Sequence, residues 1–425
     1  MLDIKLIRND KEGIEKKLKT KDPLISLDEI LRLDQAIREG KTKVETLKAT
    51  RNEVSKQIGD LKRQGVDFTQ LSEKISSHGE EIDALDKELT ENESHFQDLM
   101  SRLPNIPMDE IPISPDPKDN VMLKQWGDKP SFNFPFKNHV ELNESLQLFD
   151  FKRGAKIAGS GWPIYKNWGA RIEWALLQYM MSVHIKNGFI QWIPPIVVKP
   201  EVMYEAGQLP KFANQQFKIT DEAFQLFMIP TAEVALNGLH SDEIIPLEDL
   251  PLRYVAYTPC FRREAGAAGA QERGLIRMHQ FNKIEMFCFT LPEDAPKIFE
   301  EMIKSAEGIL QGLGLHYRNM LLTTGDMSFA GAKTIDIEVW LPGQNRYYEV
   351  SSVTNCTDFQ ARRSNCRSKR SKEAKSEFVY TLNGSGLATS RLMVGLLENN
   401  QNEDGSINIP DVLQPYLNGL TCLKP

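Results

Sequence analysis

Cysteine is scarce in this sequence, and the five cysteines are widely scattered. They do not form the close pairs of a structural zinc site, and an odd, scattered set does not make a disulfide framework. Cys356 and Cys366 could be two metal ligands, but no nearby histidine or second pair completes a site, so inert thiols are the favoured interpretation. Such usage is typical of the reducing cytosol, and we predict a cytoplasmic protein.

Long apolar runs and a basic net charge are also missing. No segment approaches the length of a membrane span, and the first ten residues lack the apolar stretch of a signal peptide. We therefore expect an intracellular protein with no membrane contact. The net charge of −7 means that any nucleic-acid contact must use a local basic patch. The 425 residues allow two or three domains.

Two heptad patterns dominate the first hundred residues. The first runs through Ile30, Ile37, Val44, Arg51 and Ile58, with Leu33, Gly40, Leu47, Val54 and Leu61 interleaved. The second runs through Phe68, Ile75, Ile82, Leu89, Phe96 and Leu103, with Leu71, His78, Leu85, Asn92 and Leu99 interleaved. The break at residues 64–67 predicts an antiparallel coiled-coil hairpin with helices roughly 45–50 Å long. We interpret Arg51 and His78 as residues that fix the register.

Charge is unequal between these two helices. Between Arg32 and Arg63 the first carries nine basic and five acidic residues, whereas the second is acidic over residues 80–93. Complementary edges of a coiled coil would explain this asymmetry. A basic helix lying along a nucleic-acid backbone would explain it equally well, and both interpretations stay open at this point.

A proline-rich segment divides the chain. Residues 103–117 read LPNIPMDEIPISPDP and cannot be helical throughout. We therefore predict an N-terminal domain at residues 1–103 with its hairpin at about 30–103, a linker at 104–117, and a second domain at 118–425.

Residues 254–285 contain two strand-like runs around a glycine-rich loop at residues 265–274. Alternation predicts one face for Thr258, Arg262 and Glu264 on the first run. On the second run it predicts one face for Arg277, His279, Phe281, Lys283 and Glu285. Arginine grips phosphate or carboxylate oxygens, and an aromatic face stacks on a purine, so the pattern suits a nucleotide triphosphate beside an amino acid. An exposed hairpin with alternating solvated charges is the other interpretation.

Several motifs in order resemble one enzyme family. They are TAE at 231–233, FRREAG at 261–266, RGLIRMHQFNKIEMF at 273–287, YYEVSSVTNCTDFQARR at 347–363 and NGSGLATSRLMVGLLE at 383–398. Together, behind a coiled-coil arm, they resemble the seryl-tRNA synthetases of the bacterial type over the whole chain. The strand ending in Pro194 and Pro195, after an amphipathic helix at 168–187, resembles the first, dimer-forming motif of the class II synthetases.

This resemblance implies a fold and a reaction. The fold is α+β: an antiparallel sheet flanked by helices, with an N-terminal coiled-coil arm. In the reaction, ATP and L-serine give seryl-adenylate, and the serine then passes to the terminal hydroxyl of tRNA(Ser). The resemblance also implies tRNA(Sec) as a second substrate where an organism has it, and a homodimer in which the arm of one subunit serves tRNA on the other.

The resemblance further implies residue roles. Arg262 and Arg391 are the expected catalytic residues, Arg262 on the α-phosphate and the serine carboxylate and Arg391 over the nucleotide. The expected ATP site comprises Arg262, Arg263, Glu264, Arg277, Met278, Phe281, Glu349, Val350, Ser351, Ser352 and Arg391, with Mg²⁺ held by Glu349 and Ser352. The expected serine site comprises Thr231, Ala232, Glu233, Arg262, Glu285, Asn383 and Ser385. The expected tRNA contacts on the arm include Arg38, Lys41, Lys48 and Arg51.

Two of these assignments also have a purely structural interpretation. Thr231 also reads as an ordinary helix cap. Glu349 and Ser352 also read as solvent-facing polar residues on a strand. The sequence departs from the family at Arg263, where a small residue is usual, and at Ala270 and Gln271, where a basic and an acidic residue are usual. The second departure concerns the loop that faces the tRNA acceptor end in the family.

Two other functions are alternatives to that of a seryl-tRNA synthetase. One is a paralogue that activates an amino acid for a carrier protein, and the presence of the arm speaks against it. The other is a non-enzymatic RNA-binding or scaffold protein. The complete set of pocket arginines and carboxylates speaks against the second alternative.

Overall fold

The computed structural model describes residues 1–264 and 274–425. The chain divides into two compact units, residues 2–103 and residues 104–425 together with Met1. In the part of the chain that is described, no helix is both long and apolar enough to cross a membrane.

The N-terminal unit is helical. Its helices are α1 (Ile4–Asn9), α2 (Lys11–Lys19), α3 (Asp28–Gln64) and α4 (Thr69–Ser101). Helix α3 ends at Gly65, whose φ of +71° is favourable for glycine and stops the helix. With 37 and 33 residues, α3 and α4 are about 55 and 50 Å long, so the first helix is longer than the heptads predict.

The heptad prediction accounts for the seam between α3 and α4. Ile37, Val44, Ile82 and Leu89 form a buried apolar cluster. Gly40 lies against Leu89, and a Cβ at this position would come within 2.8 Å of the leucine side chain. The glycine therefore permits close packing of the two helices at this point.

The second unit contains the remaining elements. Its helices are α5 (His139–Leu146), α6 (Phe151–Ala158), α7 (Trp168–Lys186), α8 (Pro200–Glu205), α9 (Ala232–Asn237), α10 (Ala295–Gly312), α11 (Phe359–Ser364) and α12 (Thr389–Asn399). Its first nine strands are β1 (Val121–Trp126), β2 (Phe149–Asp150), β3 (Ile164–Tyr165), β4 (Ile190–Trp192), β5 (Val197–Val198), β6 (Lys218–Thr220), β7 (Gln225–Met228), β8 (Ile244–Ile245) and β9 (Leu252–Phe261). The others are β10 (Gln280–Thr290), β11 (Tyr317–Leu321), β12 (Lys333–Leu341), β13 (Arg346–Asn355), β14 (Arg367–Ser368), β15 (Glu377–Phe378), β16 (Tyr380–Ala388), β17 (Ile407–Asn408) and β18 (Cys422–Leu423).

An eight-stranded sheet organises this unit, in the order β1-β11-β12-β13-β16-β10-β9-β4. Neighbouring strands are antiparallel, except that the edge strand β4 runs parallel to β9. The α+β prediction of an antiparallel sheet flanked by helices, with a helical N-terminal arm, is confirmed. Helices α7, α10 and α12 contribute apolar side chains to the main core, among them Ile172, Met180, Met302, Leu310, Leu392 and Leu396.

Two strand boundaries differ from the sequence prediction. The expected strand after α7 is divided into β4 and β5, because the prolines between them cannot donate to a ladder. The sequence Asn383-Gly-Ser-Gly-Leu predicts the opening of a helix, but this segment continues as β16, and α12 begins only at Thr389. Gly386 lies in this strand where a Cβ would come within 2.3 Å of the His184 ring, so close packing on α7 requires glycine.

Two irregularities interrupt the ladders near the centre of the sheet. On β13, Ser351 pairs with Ile337 and Glu349 with Glu338, so Val350 is an extra residue. On β16, an extra residue lies between Ser385 and Ala388 relative to β10. Each bulge changes which side chains share a face of the sheet.

Candidate active site

A cleft lies over the central strands β10, β13 and β16. Its lining comprises Arg262, Glu264, Ile276, Arg277, Met278, Phe281, Lys283, Glu349, Val350, Ser385, Ala388, Ser390 and Arg391. Nine of the residues predicted from the sequence to bind ATP or serine are in this set. They approach from the ends of β9 and β10, from the bulged strands and from the first turn of α12.

Arg262 and Phe281 lie together in the cleft. Residues 261 and 280 pair across the antiparallel β9–β10 hairpin, which confirms the predicted pairing of the two runs. The Arg262 guanidinium lies 5.3 Å from the centre of the Phe281 ring, and its Nε donates to the Pro230 carbonyl at 3.4 Å. An aromatic face next to a guanidinium suits a purine and its phosphates.

Arg391 is held by backbone oxygens from two other segments. Its Nη1 donates to the Glu349 carbonyl oxygen at 2.9 Å, and its Nε donates to the Ile276 carbonyl oxygen at 3.3 Å. Nη1 also lies 3.3 Å from the Glu349 carboxylate. These contacts fix a cation in the cleft before any ligand is bound.

Arg277 forms an ion pair with Glu264. The distance from Arg277 Nη1 to Glu264 Oε2 is 2.7 Å. Glu264 has a φ of +45°, which is uncommon for a residue with a side chain. The expected contact of Glu264 with the adenine amino group therefore concerns a carboxylate that already has a cationic partner.

A buried polar cluster lies beside Arg262 on β10 and the start of α9. Lys283 donates to Thr231 Oγ1 at 2.8 Å and forms an ion pair with Glu285. Thr231 Oγ1 lies 3.1 Å from Glu285 Oε2 and also accepts from the Glu233 amide. The side chains of Lys283 and Glu285 are only 6% and 2% exposed, so the interpretation of solvated hairpin charges is wrong here.

The position of Thr231 is compatible with both of the interpretations considered for it. It is the N-cap of α9, as its amide contact shows, and it also faces a carboxylate of the cluster. The helix-cap interpretation and a position in the candidate site are therefore compatible.

Glu233 is the second carboxyl group of this cluster. It accepts from Gln360 Nε2 at 2.6 Å and from Asn383 Nδ2 at 3.0 Å. Burial, and then the nearby charge of Glu285, raise the pKa of Glu233 to about 7. Two carboxyl groups next to a small polar space suit a ligand that carries an ammonium group.

The bulge at Val350 brings two expected Mg²⁺ ligands to one face. Without it, alternation would put Glu349 and Ser352 on opposite faces of β13. Asp336, which pairs with Ser352 across the ladder, has a buried Oδ1 without a hydrogen-bond partner among the residues described. Burial and the Glu349 charge raise the pKa of Asp336 well above its usual value.

These oxygens fit Mg²⁺, because a nearby dication would satisfy Asp336 and favour its charged form. No group of three or more histidine, cysteine or acidic residues suited to a metal occurs among the described residues. A metal here would therefore depend on water and ligand oxygens in addition to Glu349 and Ser352, as Mg²⁺ does beside phosphates.

Four residues predicted near the site do not line the cleft. Arg263 is exposed and does not line the cleft, although its amide donates to the Gln215 carbonyl. Ala232 is fully buried in an apolar cluster. Ser351 is buried and donates to the Ser385 carbonyl at 2.5 Å. His279 precedes β10, so the alternation does not extend to it, and its ring packs 5.5 Å from Trp162.

Sequence reasoning gave no role to two members of the buried cluster. Lys283 was expected on the same face as Glu285, but its burial depends on Thr231, which is distant in sequence. Gln360 lies within the motif at 347–363 and holds both Glu233 and, through its Oε1, the Thr381 hydroxyl at 2.7 Å. The position of the Gln360 amide between two polar partners would identify it, but those partners are distant in sequence and come together only in the folded chain.

The arm carries ion pairs between α3 and α4. Lys41 pairs with Glu93, Lys43 with Glu81 and Lys48 with Asp86, at 2.7, 2.7 and 3.2 Å. Arg38 lies 3.2 Å from Asp34 on its own helix. Arg51 has no ion pair with any residue that the structure describes. The complementary-edge interpretation thus accounts for these lysines, but it does not account for Arg51.

Part of the predicted loop lies outside the described residues. This applies to residues 265–273, which include Ala270 and Gln271 and parts of the motifs at 261–266 and 273–287. None of the five cysteines forms a disulfide among the described residues, and all except Cys422 are buried. Burial raises the pKa of Cys260, Cys288 and Cys366, as expected for inert thiols.

Comparison with protein families gives two matches that together cover most of the chain. Residues 1–107 match the Seryl-tRNA synthetase N-terminal domain. Residues 217–400 match the tRNA synthetase class II core domain (G, H, P, S and T).

Full-length relatives and solved structures are also similar. A serine–tRNA ligase of Chlamydia abortus is 53% identical and one of Chlamydia pneumoniae 52% identical, each over 425 residues, which cover 100% of this chain and 100% and 99% of the relatives. The seryl-tRNA synthetase from Pyrococcus horikoshii complexed with ATP is 36% identical with a TM-score of 0.94, and both chains are covered completely. The cytoplasmic serine–tRNA ligase from Naegleria fowleri in complex with AMP is 27% identical with a TM-score of 0.88, at 100% and 99% coverage.

Proposed function

The chain belongs to the seryl-tRNA synthetase family and is a serine–tRNA ligase, and we propose that the cleft over β10, β13 and β16 is where it forms seryl-adenylate from ATP and serine. The observation that carries this proposal is the junction of two environments at Arg262. On one side is the Phe281 ring, and on the other is the buried cluster of Thr231 and Glu285. A nucleotide and an amino acid bound there would meet at this guanidinium.

The first step is a displacement at phosphorus. A serine carboxylate oxygen bonds to the α-phosphorus, the bond from that phosphorus to the bridging oxygen breaks, and pyrophosphate leaves with the electron pair. Arg262 stabilises the negative charge at the α-phosphate, and Phe281 and Arg391 hold the adenine between them. Arg277 helps to hold the remaining phosphates, and its partner Glu264 meets the adenine amino group.

The buried cluster selects the amino acid. Glu285 and Glu233 face the ammonium group of serine, and Thr231, Asn383 and Ser385 offer hydrogen bonds. A site whose buried polar groups need a hydroxyl partner discriminates strongly against alanine, because alanine would leave those groups unpaired. Lys283 already forms an ion pair with Glu285 before serine arrives.

Mg²⁺ would be held by Glu349 and Ser352 and would supply charge neutralisation to the phosphates. The support is the shared face that the Val350 bulge gives them, together with the unpartnered oxygen of Asp336. Arg263 and Ser351 bind no substrate by side chain in this proposal.

The arm binds tRNA through the basic face of α3. Arg51 supports this proposal because it has no ion pair among the described residues. The exposed pairs of Lys41 and Lys48 can exchange a carboxylate for a phosphate at small cost, since surface ion pairs contribute about 0–1 kcal/mol. The domain boundaries proposed from the sequence, 1–103, 104–117 and 118–425, assign this function to the first domain.

The enzyme is a homodimer in our proposal, and β4 with the outer face of α7 forms the interface. Ile190 and Ile193 are 59% and 84% exposed, and Trp174 and Ile185 on α7 are also exposed. An edge strand with apolar side chains is a ready surface for a second chain. Light scattering on Ile190→Glu and Ile193→Glu variants tests this, and an unchanged mass would argue against it.

Two further proposals concern a second tRNA and the location of the enzyme. We propose that tRNA(Sec) is also charged, and aminoacylation of a tRNA(Sec) transcript with serine measures this directly. We propose a cytoplasmic location because cysteines that form no disulfide in the described part of the chain suit a reducing compartment.

The experiment that tests the central proposal is serine-dependent exchange of pyrophosphate into ATP, measured with each of the twenty amino acids. Serine is expected to support exchange and alanine and threonine to support little. Glu285→Ala should strongly reduce the exchange that serine supports. Rapid exchange by the Glu285→Ala enzyme, with serine affinity unchanged, would contradict the assignment of this cluster.

A further inference from the structure

One buried carboxyl group near the cleft has no part in the steps proposed above. Glu173 lies on α7 and is 5% exposed. Its Oε1 accepts from Thr389 Oγ1 at 2.5 Å and from Asn282 Nδ2 at 2.8 Å. Glu173 therefore joins three separate elements of the fold at one oxygen.

Both partners of Glu173 adjoin residues of the nucleotide cleft. Asn282 directly follows Phe281 on β10, and Thr389 begins α12 two residues before Arg391. The Thr389 hydroxyl also lies 3.0 Å from the Asn282 carbonyl oxygen. The carboxyl group thus links the strand that carries the ring to the helix that carries the guanidinium.

Packing alone does not hold the ring from this side. A cavity of about 220 Å³ lies next to Phe281, and Tyr165, Glu173 and Asn282 are also among the residues that line it. Because this space offers few contacts on one side of Phe281, the ladder with β9 and the side-chain hydrogen bonds of Asn282 carry more of the restraint. Asn282 is also contacted by the Tyr257 hydroxyl at 3.2 Å, which is a longer and neutral bond.

We infer that Glu173 is a positioning residue for ATP, which sets the spacing between Phe281 and Arg391 through Asn282 and Thr389. This inference rests on the proposed roles of Phe281 and Arg391. Loss of the shared acceptor would leave the Asn282 amide without its Glu173 partner and the buried Thr389 hydroxyl with only the Asn282 carbonyl oxygen, and the strand and the helix would move to relieve this. A displacement of about 1 Å between groups that bind one ligand is enough to lower activity greatly.

The test uses Glu173→Leu and Glu173→Gln in the full-length enzyme. The leucine removes the acceptor at similar volume, whereas the glutamine keeps an oxygen for both donors. In serine-dependent pyrophosphate exchange we expect Glu173→Leu to raise the KM for ATP about tenfold and to change the KM for serine less than twofold. Glu173→Gln should stay within twofold of the parent enzyme in both constants.

A matched control separates positioning from general loss of stability. Leu177, one turn further along α7, is buried in the main core and contacts neither Asn282 nor Thr389 by a hydrogen bond. Leu177→Ala should lower the melting temperature with the KM for ATP nearly unchanged. If Leu177→Ala raises the KM for ATP as much as Glu173→Leu does, the inference is wrong.

A second variant keeps the test decisive if Glu173→Leu does not fold. Thr389→Val removes one donor and should raise the KM for ATP in the same direction, and combined with Glu173→Leu it should add little. Arg391→Ala distinguishes a failure of the proposed nucleotide site from a failure of the positioning role of Glu173. If Arg391→Ala leaves the KM for ATP unchanged, the proposed nucleotide site fails, whereas a raised KM in Arg391→Ala but not in Glu173→Leu or Thr389→Val overturns only the positioning role.

Discussion

Two lysine–carboxylate pairs illustrate how differently the arm and the catalytic unit use the same chemistry. In the arm, Lys48 and Asp86 lie 3.2 Å apart with side chains 46% and 48% exposed. In the catalytic unit, Lys283 and Glu285 form a pair that is almost completely buried. Water and salt screen the first pair and hardly reach the second.

This difference indicates what each region can do. An exposed pair holds its partners weakly, so its cation is available to a phosphate backbone. A buried pair cannot be rearranged cheaply, because a charge left alone there would be costly. The arm is thus suited to salt-sensitive, exchangeable binding, and the cleft to fixed recognition of a small substrate.

The largest effect should come from Arg262→Ala in the catalytic unit. We expect serine-dependent pyrophosphate exchange to fall by about 10²–10³-fold, because the charge that develops at the α-phosphate loses its main donor. Arg253→Ala is the matched control, since Arg253 lies on β9, the strand that leads to Arg262, but pairs with Glu301. Activity of Arg262→Ala within tenfold of the parent would refute its assignment.

A second test concerns buried and exposed carboxyl groups as pH changes. Burial raises the pKa of Glu173 from its usual 4.5 to about 7, so the folded state holds a proton that the unfolded state releases earlier. Stability should therefore fall as pH rises from about 4.5 to about 7, by up to about 3 kcal/mol for this group. Glu173→Gln should flatten this decline in the free energy of unfolding.

The arm supplies the control for this pH test. The Glu81 side chain is 42% exposed, and its pKa is lowered by the hydrogen bond from Lys43. Its contribution should be lost only as pH falls towards strongly acidic values, and Glu81→Gln should leave the decline between pH 4.5 and 7 as it is. Equal flattening by both substitutions would show that burial does not distinguish the two regions.

A third test addresses the oxygen ligands proposed for Mg²⁺. Glu349→Gln should raise the Mg²⁺ concentration needed for half-maximal exchange by about ten- to a hundredfold, since a charged ligand is lost. Glu338, the ladder partner of Glu349, pairs with Arg318 at 2.6 Å, so Glu338→Gln is a suitable control. A common shift in both variants would point to general electrostatics and not to a ligand.

The smallest expected effect belongs to the arm. Arg51→Gln should raise the KM for tRNA by up to about tenfold and make charging less sensitive to salt, because one phosphate contact is lost. Pyrophosphate exchange should not change. Lys87→Gln removes the same charge from the exposed side of α4, and an equal loss of charging there would indicate that net charge alone matters.

The arm was more predictable from sequence than the cleft, for a physical reason. A heptad seam is a local pattern, and the buried positions Ile37, Val44, Ile82 and Leu89 follow from it directly. The length of α3 was underestimated because its helical hydrogen bonds continue beyond the apolar repeat in both directions.

The cleft could be assigned by resemblance to a family but not by periodicity. Alternation on β10 correctly brought Phe281, Lys283 and Glu285 to one face, but it failed for His279, which precedes the strand. The Lys283–Thr231 contact and the hold of Gln360 on Glu233 join segments far apart in the chain. No local signal distinguishes such contacts from ordinary surface polarity.

The extra residue at Val350 gives the catalytic unit an unusual kind of vulnerability. Every substitution at this position leaves the number of residues in β13 unchanged, and so leaves Glu349 and Ser352 turned the same way. A deletion of one codon here would restore strict alternation and turn them apart, although both oxygen donors would still be encoded. In this strand a deletion would therefore do more harm than a substitution.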